Sequence, residues 1–229
     1  MSRIQQQLIT KDVFQFLEKL KKNNTREWFA EHKTEFKELE TRVKSFYSAL
    51  LNKLKAHDDI EKLKMFRIYR DIRFSKDKTP YKAHFAGSFS RCGQRLRGGY
   101  YLRLKPNETF IAAGFWEPNK EDLLRIRKEF ETDASEIRSI MNKKNFKEVW
   151  GEMQGDELKT APSGFNKDHP NIDLIKRKQF IFVKNFSDEE VMSPDFMANV
   201  DLAFQAIRPY FNLMSDILTT NLNGESLLD

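Results

Sequence analysis

Residues 66–91 read FRIYRDIRFSKDKTPYKAHFAGSFSR, and the reading of this stretch decides what is expected of the rest of the chain. Its first half alternates. Phe66, Ile68, Ile72 and Phe74 fall on one side of an extended chain, interrupted by Arg70, while Arg67, Tyr69, Asp71 and Arg73 fall on the other. Alternation of this kind belongs to a strand with one buried face. Residues 75–81 carry turn chemistry, and Pro80 biases Thr79 away from helix. A second alternation sets Phe85, Gly87 and Phe89 against His84, Ala86, Ser88 and Ser90. The expectation is a strand, a cationic loop and a second strand.

Working outward, Gly98-Gly99 marks a turn, and residues 100–105 and 109–116 read as two strands joined as a hairpin through Pro106-Asn107-Glu108. Together with the first pair they make an antiparallel sheet of at least four strands, and residues 176–186 read as another strand. Before the sheet, Thr10 caps a short helix carrying Val13, Phe16, Leu17 and Leu20. Thr25 caps a longer one whose apolar stripe runs Phe29, His32, Phe36, Leu39, Val43, Phe46, Leu50, Leu54. His32 in that stripe reads as a satisfied core or boundary residue. After the sheet come helical segments around Ile126, Ile137 and Phe146, then a Ser187/Glu190 capping box. A last helix from Phe196 to Leu218 should be kinked by Pro209, with a frayed tail beyond Asn223-Gly224. The fold class is therefore α+β: a single domain over residues 1–229, with N-terminal helices, a central mostly antiparallel sheet and C-terminal helices.

Composition bounds the function classes. With 32% charged residues, 20 Phe and 3 Trp in 229 residues, the chain can be soluble and still bury a large core. No apolar run approaches the roughly 20 residues of a membrane helix, and the polar start MSRIQQQLIT lacks a signal-peptide core. A cytoplasmic protein with no membrane partner is expected. The lone cysteine, Cys92, excludes an internal disulfide or a thiolate-cluster metal site. There is no phosphate-binding glycine loop, no nucleophile elbow and no paired metal-ligand spacing. Neither metal nor cofactor is implied, and nothing in the sequence specifies an oligomeric state.

Charge is distributed unevenly. Ten basic residues face two acidic ones between positions 64 and 97, while the whole chain carries only +6, so the remainder is net acidic. Local positive charge suits a surface that meets an anion, although strand and loop cations can equally be solvated or paired with nearby acids. The candidate ligand-binding set is Arg67, Tyr69, Arg70, Arg73, Lys76, Lys78, Tyr81 and Lys82. Arginine binds phosphate bidentately and lysine as a mobile point charge. Tyr69, Tyr81 and Trp116 stack on bases if they are exposed. Arg70, on the apolar side, must be paired or reach a pocket. The first reading is thus an anionic ligand, either nucleic acid or a phosphorylated compound. A second is an enzyme on such a substrate, with His84, or His169 beside Asp168, as general acid/base. A third is an interaction domain with an acidic partner.

Three phrases, in order, are Asn23-Asn24-Thr25-Arg26-Glu27-Trp28-Phe29; Phe66-Arg67-Ile68-Tyr69-Arg70-Asp71 continuing through Arg73-Phe74-Ser75-Lys76-Asp77-Lys78-Thr79-Pro80-Tyr81-Lys82; and Gly164-Phe165 with Lys167-Asp168-His169-Pro170. Together they resemble the family known as domain of unknown function 2461, over about residues 8–220. The resemblance implies a single cytoplasmic domain and supplies no reaction, cofactor or catalytic residue.

Overall fold

The computed structural model describes residues 8–228. The chain enters through α1 (Lys11–Lys22), whose buried stripe is Val13, Phe14, Phe16, Leu17 and Leu20. Thr10 precedes it, but its hydroxyl does not cap: it donates to Asp12 and accepts from Arg42 Nη1 at 3.1 Å. Thr25 does cap, its Oγ1 accepting from the Trp28 amide at 3.2 Å to open α2 (Arg26–Glu31). The single long helix expected here is two. His32 adopts φ −102° and ψ 12° between α2 and α3 (Lys33–Leu54). Its amide and its Nδ1 both approach the Trp28 carbonyl, at 3.2 and 2.8 Å, and its ring stacks on Trp28 at 3.9 Å. These contacts close the short helix and turn the chain, so His32 is a satisfied junction residue.

A five-stranded antiparallel sheet follows, in the order β1 (Ile60–Met65), β2 (Phe85–Arg91), β3 (Gly99–Leu104), β4 (Thr109–Phe115) and β5 (Phe180–Phe186). Consecutive strands are neighbours throughout, so the register follows from the sequence of turns. Between β3 and β4, Asn107 takes a left-handed φ of 60° and Glu108 N donates to Lys105 O at 3.0 Å. One face of β1–β3 meets α3: Tyr47 donates its hydroxyl to Leu102 O at 2.9 Å and stacks on Phe89, and Phe36 stacks on Phe85. Gly87 is required on that face, since a Cβ there would lie 2.7 Å from the Tyr47 ring.

The expected first strand is displaced. Residues 66–74 form no strand; the ladder runs over β1, six residues earlier. Of the proposed apolar face only Ile68 is buried, whereas Phe74 is 97% exposed. The competing force is local. Asp71 accepts from the Arg73 amide at 3.2 Å and Asp77 from the Thr79 amide at 2.9 Å. Such turns, built by aspartate side chains, offer the backbone an alternative to a ladder.

Helices α4 (Lys120–Thr132), α5 (Ser135–Asn142), α6 (Lys144–Trp150) and the short α7 (Ile172–Ile175) lie between β4 and β5. Phe130 and Phe146 set their rings edge-on against Phe180 and Phe182 of β5. After β5 come α8 (Asp188–Met192), opened by the complete Ser187/Glu190 capping box, then α9 (Phe196–Ala206) and α10 (Arg208–Thr219). Instead of a kinked last helix there is a break at Ile207, because Pro209 has no amide to donate and its ring excludes a continuous turn. In the tail Thr220 pairs with Ser226, and Leu227 N donates to Thr219 O at 2.7 Å.

The chain falls into two compact units. Among the described residues the first comprises 8–89, 101–111 and 185–201, and the second 90–100, 112–184 and 202–228. Among the described residues no helix is long and apolar enough to cross a membrane.

Candidate functional site

The cationic stretch lies in the first unit, as a loop between β1 and β2 whose neck is closed. Tyr69 and Tyr81 form an isolated antiparallel bridge, with Arg70 N donating to Pro80 O at 2.9 Å and Lys82 N to Ile68 O at 2.7 Å. Asn24, before α2, completes the neck. Its Nδ2 donates to Tyr81 O and its Oδ1 accepts from Tyr81 N, both at 3.0 Å. Phe29 stacks on Tyr81 with centroids 4.1 Å apart, and Tyr69 meets Phe29 edge-on. Tyr81 is consequently only 6% exposed, which removes it as a stacking surface, while Tyr69 stays 54% exposed.

Several of the expected ligand-binding cations are engaged within the loop itself. Arg70 is indeed paired: Nη1 donates to Asp77 and, at 2.7 Å, to Thr79 Oγ1, and Nη2 reaches Ser75 Oγ at 3.4 Å. Hydrogen bonds from Thr79 and Arg70 pull the Asp77 carboxyl down to about 2. Arg73 doubly engages Asp71, at 3.0 and 2.6 Å. Lys78 donates to Ile72 O at 2.9 Å. The loop thus engages three of its own cations and neutralises two of them, Arg70 and Arg73. Among the described residues no hydrogen bond or ion pair engages Arg67, Lys76 or the ammonium of Lys82, and both Arg67 and Lys76 are exposed.

His84 stands where this loop re-enters the sheet. Burial, and then the positive charges of Arg103, Lys82 and Lys105, push its imidazole down to about 4, with Glu108 acting weakly in the opposite direction. With the pKa that low, the ring is neutral at pH 7 and lacks the imidazolium proton that a histidine general acid gives up. Three cations therefore converge on a neutral ring. Glu108 is shared: it lies 2.6 Å from Lys105 Nζ and 3.4 Å from Arg103 Nη2.

The sheet face turned away from α3 carries a row of aromatics that the sequence reading did not select. Tyr101 on β3 lies 6.2 Å from Phe66, just past β1, and 5.6 Å from Phe110 on β4. β2 passes between Phe66 and Tyr101, and Phe66 N donates to Ala86 O at 2.9 Å. Alanine there is short enough for two rings to approach across it. Cations cover the row: Lys64 and Lys82 lie 5.6 and 5.9 Å from the Phe66 centroid, and Arg103 lies 4.3 Å from that of Phe110. The available signal was the alternation of Tyr101, Arg103 and Lys105 against Leu102 and Leu104, which places aromatic and basic side chains together on the non-core face.

The remaining candidates lie in the second unit. His169 fastens its own loop, Nδ1 accepting from Asn171 N at 3.1 Å, and Asp168 is exposed. Trp116 is 50% exposed. Among the described residues no group of three His, Cys, Asp or Glu side chains is arranged to hold a metal.

A family model described as "Conserved hypothetical protein (DUF2461)" matches residues 12–212. No curated protein and no solved structure matches the chain. All of the central phrase and the Asn24–Phe29 phrase that packs against it fall within the matched span.

Proposed function

The chain belongs to the domain of unknown function 2461 family, and we propose that it binds a phosphate-bearing anion where Lys82, Arg103 and Lys105 converge on His84, with Arg67 and Lys76 as outlying cations. One observation carries this reading: Lys82, Arg103 and Lys105 act together on the half-buried His84 imidazole, and Glu108 is the carboxylate that opposes them. Clustered charge of one sign beside low-dielectric protein focuses potential on an incoming counter-charge. Arg103, whose Nε and Nη2 donate to the Glu108 carbonyl at 3.3 and 3.0 Å, offers its remaining guanidinium edge, and the lysines supply mobile point charges. Arg70, Arg73 and Lys78 take a different part from the one their charge suggests. They shape the loop, and Arg67 and Lys76 extend the site from it. Binding fits better than acid/base catalysis, because a ring held neutral at pH 7 has lost the titration that makes histidine useful there.

The test is a nitrogen-resolved NMR titration of His84 with and without inorganic polyphosphate. Polyanion bound beside the ring offsets the three cations, so its pKa rises from about 4 toward the ordinary range near 6.5. A His84 resonance that ignores polyphosphate at low salt overturns the proposal. Equal binding of polyglutamate would redirect it to an acidic protein partner.

A further inference from the structure

We infer that the anion is a single strand of nucleic acid, whose bases lie on the row Phe66, Tyr101 and Phe110 while its phosphates meet Lys64, Lys82 and Arg103. This rests on the anion-binding reading above and names the ligand of that same site. Three observations point to it. The rings belong to the solvent-facing side of the sheet: Phe66 is 36% exposed, and Tyr101 and Phe110 are half-buried. Their centroids are 6.2 and 5.6 Å apart with planes tilted by 50° and 33°, so the three rings lie side by side along that face. Each end of the row is topped by a cation, with lysines at Phe66 and Arg103 at Phe110.

Aromatic rings interleaved with basic side chains on a flat face form a stacking platform with an electrostatic track. Such a platform takes any base, because every base has a π face. A free phosphate or polyphosphate needs the cations but has no use for the rings. A duplex needs the cations too, yet keeps its own bases stacked inside. Only an unpaired strand uses both halves of the surface. Recognition runs through base and phosphate, so RNA and DNA strands should bind alike. Glu108 remains on the track, holding Lys105 and the edge of Arg103 and trimming the attraction.

The experiment is fluorescence anisotropy with labelled U12 and dT12, in competition with a 12-base-pair duplex and with inorganic polyphosphate. Variants Phe66→Leu and Tyr101→Leu keep apolar bulk and remove the π face; thermal melts check that they fold, and Phe66, the more exposed, decides if Tyr101→Leu does not. Each should weaken U12 and dT12 about tenfold and leave polyphosphate binding unchanged. With three to four phosphates engaged, log affinity should fall with log salt at a slope of about −2 to −3. If U12 binding survives both variants, or the duplex or polyphosphate competes as well as U12, the inference falls and the anion site stands. If neither U12 nor polyphosphate binds and His84 does not respond, both fall together.

Discussion

Asn24 pairs with Tyr81 as a neighbouring strand would: its side-chain amide gives one hydrogen bond to the Tyr81 carbonyl and takes one from the Tyr81 amide, both at 3.0 Å. Fifty-seven residues of sequence are closed by one side chain. The phrase containing Asn24 and Phe29 and the phrase containing Tyr69 and Tyr81 are thus two halves of one structural element, the neck of the cationic loop.

Asn24→Ala removes both bonds and leaves a part-buried amide and carbonyl unpaired. The expected cost is about 2–4 kcal/mol, from two lost partners at roughly 1–2 kcal/mol each. Asn24→Asp keeps the acceptor and loses the donor, so it should fall between. Urea unfolding of the three proteins gives the order, and amide exchange should accelerate first in residues 66–82. An unchanged midpoint for Asn24→Ala would show that the neck is held by Phe29 and Tyr81 alone.

Arg70 and Arg73 should separate cleanly. Arg70 ties Asp77, Thr79 and Ser75 together, whereas Arg73 grips only the exposed Asp71 beside it. Arg70→Ala therefore frees the loop, and trypsin should cut at Arg73, Lys76 or Lys78 several-fold faster than in the parent, since cleavage samples local opening. Arg73→Ala should change neither the melting temperature nor polyphosphate affinity, as exposed ion pairs contribute little. Equal loss of affinity in both would place Arg73 in the site after all.

Acid should destabilise the fold in a window set by His84. Its folded pKa, about 4, lies below the unfolded value of 6.5, so the unfolded chain takes up a proton that the folded one refuses. The associated stability is complete above pH 6.5 and is lost as pH falls toward about 4. The whole shift corresponds to about 3 kcal/mol, which partial exposure reduces to about 1–2 kcal/mol. Asp77 adds a separate loss only between 3.8 and about 2. Unfolding midpoints at pH 7, 5.5 and 4.5 check this, and His84→Gln should flatten the profile over that span. Polyphosphate should lift the low-pH arm by raising the pKa of the ring.

Glu108 is the charge that opposes the site. It neutralises part of Lys105 and Arg103, and its own carboxyl is held below the ordinary range chiefly by Lys105. Glu108→Gln should tighten polyphosphate and U12 about three-fold or more and steepen the salt dependence, because the opposing charge is removed and Lys105 loses its carboxylate partner, while Arg103 stays held by the residue 108 carbonyl. Weaker binding would mean that Glu108 positions Arg103 for contact.

Much of the fold is legible in the chain because its signals are local. Thr25 caps where it stands, the Ser187/Glu190 box closes within one turn, and the β3–β4 hairpin needs only Pro106-Asn107-Glu108 between two alternating runs. The misplaced strand at 66–74 shows the limit of periodicity. Its alternation was genuine, but Asp71 and Asp77 satisfied the backbone nearby, and the ladder went to the plainer run IEKLKM next door.

The sequence by itself determined the class, the order of elements and the concentration of positive charge between positions 64 and 97, since these depend on composition and on contacts within a few residues. Tertiary structure alone decided which charges remain available. Arg70 found Asp77, Lys78 found a carbonyl, and Tyr81 was covered by Phe29, while Phe66, Tyr101 and Phe110, spread over 45 positions, came to lie in one row. Charge counts say how many cations exist. Only the folded neighbours of each, set by long-range strand pairing, say which are spent on the fold and which face the solvent.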